Sequence, residues 1–150
     1  MEAKAIDSLD RDILNALEED ARRSLRQIAK RVQASVTTVM NRLKRLEQTG
    51  VVTGYSARVN YDRLGYEFDA LIDISVSKGK LLQVEQKIAS HPNVYAVYDI
   101  TGASDVTVMA RFKTRKGLDD FLKKIQAYDF VEDTHTHLVL RTIKDHKMLV

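Results

Sequence analysis

The hydrophobic pattern of this chain changes period partway along, and that change limits the possible fold more than any other feature. Up to Gly50, apolar side chains recur every three to four positions. Leu9, Ile13, Ala16 and Leu17 mark one helix. Leu25, Ile28, Ala29 and Val32 mark a second, and Val36, Val39, Met40, Leu43 and Leu46 a third. From Phe68 the pattern alternates: Phe68, Ala70, Ile72, Ile74 and Val76 fall on one side of an extended segment. A period near 3.6 buries a helix stripe and a period of 2 buries one face of a strand. One chain therefore carries two architectures.

Local signals punctuate the first. Asp7 or Ser8 can cap the first helix, and Asp10 and Asp12 suit its positive end. Ser24 with Gln27 forms a capping box for the second helix. After the short Gln33-Ala34 link, Ser35 caps the third, and Gly50 ends it. Val51 to Val59 reads as extended, and Asn60 to Gly65 as a polar turn.

Beyond that boundary the order is strand 68–76, helix 80–90, strand 94–100, strand 105–112, helix 115–127 and strand 131–142. A β-α-β-β-α-β order predicts a ferredoxin-like antiparallel sheet with its helices on one face. The fold class is thus α+β. A three-helix helix-turn-helix domain at 1–52 precedes an extended linker at 53–65 and a ferredoxin-like domain at 66–150. The other sheet face would be bare in a monomer. With Tyr, Val and Ile on these strands, an apolar patch would remain, and homodimerisation through it is the simple remedy.

Charge is segregated. Residues 1–20 carry two basic and seven acidic side chains, residues 21–60 nine basic and one acidic, and residues 61–150 thirteen of each. A local excess of eight positive charges in forty residues is the footprint of a polyanion-binding module. It coincides with the helix-turn-helix, which points to double-stranded DNA as a partner. On the third helix, Thr37, Thr38, Asn41 and Arg45, flanked by Arg42 and Lys44, are expected opposite the buried stripe and in the major groove. Arg can reach guanine, Asn can pair with adenine, and Thr methyls can meet thymine methyls. Ser24, Gln27, Lys30, Arg31, Ser35 and Lys44 are expected at phosphates or along the same interface. A solvated amphipathic helix is the plainer reading of any one of these residues.

Several classes are excluded or weak. Without cysteine there is no disulfide and no thiolate metal site. His135 and His137, in Thr134-His135-Thr136-His137, are two ligands where zinc needs three or four, and His91 and His146 have no reason to converge on them, so no metal is expected. No phosphate-binding glycine loop, nucleophile elbow or HExxH motif is present; neither catalysis nor a cofactor is expected. The third strand, Asp105 to Phe112, lacks the aromatic and basic pattern of an RNA-binding sheet. No stretch is long and apolar enough to span a membrane and no signal peptide is visible, so a cytoplasmic protein is expected.

One loop stands apart. Thr101-Gly102-Ala103-Ser104-Asp105 joins two strands. Gly, Ser and Asp are favoured turn residues, so the residues alone support a plain hairpin. They equally allow a nest of amides for a carboxylate, with Asp105 taking an ammonium or pinning the turn, and Tyr98 as a wall.

These segments together resemble a known family. Ile6-Asp7-Ser8-Leu9-Asp10-Arg11-Asp12-Ile13-Leu14, Asp20-Ala21-Arg22, Ile28-Ala29, Ser35 to Val39 and Arg42-Leu43-Lys44-Arg45-Leu46-Glu47 with Gly50-Val51-Val52 carry the likeness in the first domain. Leu64-Gly65-Tyr66 and Thr101 to Asp105 carry it in the second. In order and spacing the chain resembles the Lrp/AsnC, or feast/famine, family of prokaryotic transcription regulators. The resemblance implies DNA binding, dimers built on the sheet and commonly octamers. It also implies a small amino-acid effector at the loop Thr101–Asp105, with Thr134 and Thr136 of a neighbouring subunit contributing. Gln33 stands where a Gly is common, and Tyr61 where Pro is frequent. The expected function is a sequence-specific DNA-binding regulator whose assembly or affinity responds to an amino acid. The alternative is a metabolite-sensing ferredoxin-like protein acting through DNA architecture or partner binding.

Overall fold

The structure is a computed structural model that describes residues 5–77, 79–145, 148 and 150. The chain divides into two compact units. One runs to Arg58 and takes in the tail Ile143–Val150; the other is Val59–Thr142. The division expected from sequence assigns residues 66–150 to the second domain.

The first unit holds α1 (Ser8–Glu19), α2 (Leu25–Arg31) and α3 (Val36–Gln48). Asp7 is the cap of α1, and its carboxylate accepts the Asp10 N–H at 3.0 Å. Ser24 and Gln27 close the expected capping box on α2, and Ser35 accepts the Thr38 N–H at 3.0 Å on α3. The core is small: Ile13, Ala16, Ile28, Ala29, Val39 and Leu46 are buried. Val36 and Met40, expected in the buried stripe of α3, are instead exposed. The packed side of α3 centres on Val39 and Leu46; at about 100° per residue Met40 is turned about 100° from Val39, while Val36, about 60° from it, is the first residue of the helix and sits at the end of the packed face. The turn before α3 contains Gln33 at φ 54°, a left-handed conformation normally left to Gly or Asn. Residues 51–60 form no helix or strand. They are held locally, as the Tyr55 hydroxyl donates to Glu47 at 2.8 Å and Arg58 donates to the Asp145 carbonyl at 3.0 Å.

The second unit opens with a short 3-10 turn, Asp62–Leu64. It continues with β1 (Phe68–Val76), α4 (Leu81–Ala89), β2 (Val94–Asp99), β3 (Val106–Phe112), α5 (Arg115–Gln126) and β4 (Val131–Leu138). The sheet is antiparallel in the order β2-β3-β1-β4, the ferredoxin-like topology. β4 ends at Leu138, short of the expected residue 142. Ala70, Ile72, Ile74 and Val76 of β1 and Val106, Val108, Ala110 and Phe112 of β3 pack with Val84 and Ile88 of α4 and Leu118, Phe121 and Ile125 of α5.

The helix-free face differs from expectation. Directly paired residues project to the same side of a sheet. Register therefore sets Asp69, Leu71 and Asp73 beside Arg111, Met109 and Thr107, with Ala96 and Tyr98 on β2 and His135 and His137 on β4. The Ile and Val residues of β1 and β3 lie under the helices. The open face is mixed: Leu71, Met109 and Tyr98 stand among charged and polar groups.

Candidate nucleic-acid interface and effector loop

The helix-turn-helix presents a different set of side chains from the one expected. Asp10 lies on the packed side of α1, three residues before Ile13, and its side chain is fully buried. An isolated carboxylate there would lose its hydration at a cost of several kcal/mol. It is fully partnered instead. Arg45 of α3 donates to one oxygen, which also accepts the Asp7 N–H at 3.1 Å, and Arg42 donates to the other at 3.2 Å. Arg42 also pairs with Asp7. The Asp10 N–H and the Arg42 guanidinium hold the Asp7 carboxyl well below its ordinary value, at about 2.

Arg42 and Arg45 are therefore turned toward α1. Both side chains are about three-quarters buried, which corrects their expected place opposite the core. Thr38 is half-buried, its hydroxyl 2.7 Å from Ser35 Oγ. What faces outward on α3 is Thr37, Asn41 and Lys44, joined by the unexpected Val36 and Met40.

On and around α2, Arg22, Arg26 and Lys30 are exposed cations. Ser24 and Gln27 are engaged with each other, the Ser24 N–H donating to Gln27 Oε1 at 2.8 Å. Arg31 pairs with Glu19, as does Arg23 at 3.1 Å. The sequence signal for the missed network was present. An acid at position 10, in register with Ile13 and Leu17, sits on a buried stripe and needs a cation from elsewhere.

In the second unit the loop is tightly fastened on one side. Asp105 Oδ2 accepts the Val76 N–H at 2.8 Å, its N–H donates to the Ile74 carbonyl at 3.0 Å, and its carbonyl accepts the Ile100 N–H at 2.9 Å. Of the two roles weighed for Asp105, the structure shows the pin. Gly102 takes φ 135°, and a Cβ added there would meet nothing within 4 Å, so backbone conformation alone favours glycine. Thr101, Gly102 and Ala103 are exposed and Ser104 is half-buried.

The other expected effector residues are not gathered around the loop within one chain. Tyr98 lies on the open face. Thr134 pairs opposite Ile74 on the helix side, where Gln126 of α5 donates to its hydroxyl at 2.9 Å, and Thr136 pairs opposite Ile72. β4 is two strands from β3, about 10 Å away.

Two cavities stand out, and neither is lined by the loop. One, of about 390 Å³, lies among Tyr66, His91, Asn93, Phe121 and the start of α5. The other lies between Asp12, Asn15, Glu19, Arg31 and Gln33. His91 packs on Phe121 with ring centres 4.6 Å apart, and burial followed by the Lys124 charge lowers its pKa. His135 and His137 contact Asp133 and Asp73 separately, at 3.6 and 3.5 Å. Among the described residues no three His, Asp or Glu side chains converge as a metal site, and no helix is long and apolar enough to cross a membrane.

Comparison with known proteins accounts for both units. Residues 69–149 match the model of the Lrp/AsnC ligand binding domain, and residues 6–53 match a winged helix-turn-helix DNA-binding model. The chain belongs to the Lrp/AsnC family. An uncharacterized HTH-type transcriptional regulator of Pyrococcus furiosus is 43% identical over 140 residues, covering 93% of this chain and 95% of that relative. The HTH-type transcriptional regulator Ptr1 of Methanocaldococcus jannaschii is 34% identical over 141 residues, with 93% and 95% covered. The structure of E. coli AsnC superposes with a TM-score of 0.90 at 28% identity, covering 98% of this chain and all of that one. A Neisseria meningitidis transcriptional regulator in complex with L-Met gives 0.88 at 26% identity, with 95% and 94% covered. This Lrp/AsnC protein is a DNA-binding transcription regulator with a ligand-binding domain.

Proposed function

We propose that this regulator binds operator DNA through the outward face of α3 and changes its assembly or DNA affinity when an amino acid reaches the loop Thr101–Asp105. The observation that carries the DNA part is the sorting of charge in the first unit. Arg42 and Arg45 are tied to Asp10, while Thr37, Asn41 and Lys44 on α3 and Arg22, Arg26 and Lys30 around α2 remain outward. Thr37 and Asn41 meet base edges; Lys44, Lys30, Arg22 and Arg26 meet phosphates.

The amino-acid effector is supported by the L-Met bound to the Neisseria neighbour and by an exposed turn at Gly102 with open space beside its backbone. With Thr134 and Thr136 remote from the loop in one chain, the site is completed by a second subunit. The homodimer pairs the open sheet faces, and dimers assemble further, an octamer being the expected form.

Two measurements test this. Lys44→Ala is expected to weaken operator binding and lower the slope of log affinity against log salt by about one unit, as one lost phosphate contact would. An unchanged slope removes Lys44 from the interface. Calorimetry and native mass measurement against the twenty amino acids should find one that binds and shifts the assembly. If none binds at millimolar concentration, the effector reading fails while the DNA reading stands.

A further inference from the structure

We infer that Met40 is a specificity-determining residue of this regulator, its side chain meeting the C5-methyl group of a thymine in the major groove. The inference rests on the proposed entry of α3 into that groove. Met40 is 47% exposed and Val36, one turn earlier, 42% exposed, although both are apolar and lie in a unit short of core. At helical spacing they share a face with Thr37, Asn41 and Lys44.

The occupant of that face follows from its charge and from what was withdrawn. Lys44 lies on it, and the exposed Arg26 and Lys30 belong to the preceding helix, so a polyanion is favoured over a second copy of the same cationic surface. The side chains best shaped for guanine, Arg42 and Arg45, are held on Asp10, and α3 has no other arginine. The outward face thus lacks the bidentate guanine reader and carries a flexible thioether.

Thymine presents a methyl group in the major groove, and Asn41, beside Met40 in sequence, suits adenine N6 and N7. Met40 and Asn41 together fit steps built of A·T pairs, with Val36 extending the apolar track toward the start of the helix.

The test uses the full chain and a duplex chosen by selection from random sequences. Each thymine is replaced singly by deoxyuridine, which lacks only the methyl group, and affinity is measured for the natural chain and for Met40→Ala. One thymine per half-site is expected to lose about fourfold on replacement, the worth of one buried methyl group. Met40→Ala should lose about as much on the thymine duplex and nothing further on the deoxyuridine duplex. Equal deoxyuridine losses in both proteins, or a change in the native mass of Met40→Ala without DNA, would overturn the inference. If Asn41→Ala and Lys44→Ala also leave affinity unchanged, the underlying reading of α3 has failed instead. Because the Met40 side chain is exposed, Met40→Ala is expected to leave the thermal transition unchanged, which separates any effect on DNA from a loss of folding.

Discussion

Asp10 and Asp69 both receive arginine, and they differ in what surrounds them. Asp10 is fully buried and takes Arg42, Arg45 and the Asp7 N–H. Asp69 keeps about a quarter of its side-chain surface in water and takes Arg111 at 3.1 Å and the Tyr95 hydroxyl at 2.9 Å. Arg111 in turn lies between the rings of Tyr95 and Tyr61, 4.0 and 4.6 Å from their centres. The first cluster sits in a unit with six buried apolar residues and fastens α1 to α3; the second sits on the sheet of a unit with thirteen. A small core fixes helix orientation weakly, and a buried ion pair adds direction that apolar contact lacks. The sheet has ladder hydrogen bonds to set its register, and its surface pair is an addition to it.

The comparison can be broken by removing each carboxylate. Asp10→Ala is expected to destabilise the protein by about 3 kcal/mol. That is the lower end for a broken buried pair, because both arginines are partly accessible and can regain water. Asp69→Ala is expected to cost about 1 kcal/mol, as a partly exposed pair does. Denaturant titration of both variants gives the two numbers, and equal losses would remove the distinction. Freed arginines would also steepen the salt dependence of DNA binding by Asp10→Ala.

The same contrast recurs in the backbone. Gly102 takes φ 135° in the sheet unit, where Gly102→Ala is expected to lose about 2 kcal/mol through strain alone, since no atom crowds the new methyl. Gln33 takes φ 54° in the helical unit with a full side chain. Gln33→Gly is expected to gain about 0.5–1 kcal/mol by relieving it, and thermal unfolding reads both signs.

Acid sharpens the comparison further. The Asp7 carboxyl is depressed from 3.8 to about 2, so its contribution is complete above pH 3.8 and is lost as pH falls toward 2. Asp7→Asn should flatten that window. His91 in the sheet unit is depressed from 6.5, because burial and then Lys124 oppose its cation. The unfolded chain takes that proton first, so stability declines as pH drops below 6.5. His91→Gln should remove that earlier decline.

Most of the architecture was legible in sequence because it rests on local period. The alternation from Phe68 to Val76 became β1 with those limits, and Ser24 with Gln27 became a capping box. The loop was located at Thr101–Asp105, and its pin, Asp105, was among the roles considered. The outward face of α3 was read less well. Val36 and Met40 fit an apolar stripe by spacing alone, yet α3 packs through Val39 and Leu46, leaving those two in water.

By itself, then, the sequence determined the helices, the strands, their order and the family, all set by neighbours within a turn or a pleat. Only the tertiary structure decided which cations face outward. Asp10 draws Arg42 and Arg45 from 32 and 35 residues away, and a buried carboxylate must be neutralised by whatever the fold brings beside it. Which sheet side chains lie under α4 and α5 was likewise settled by packing between segments far apart in the chain.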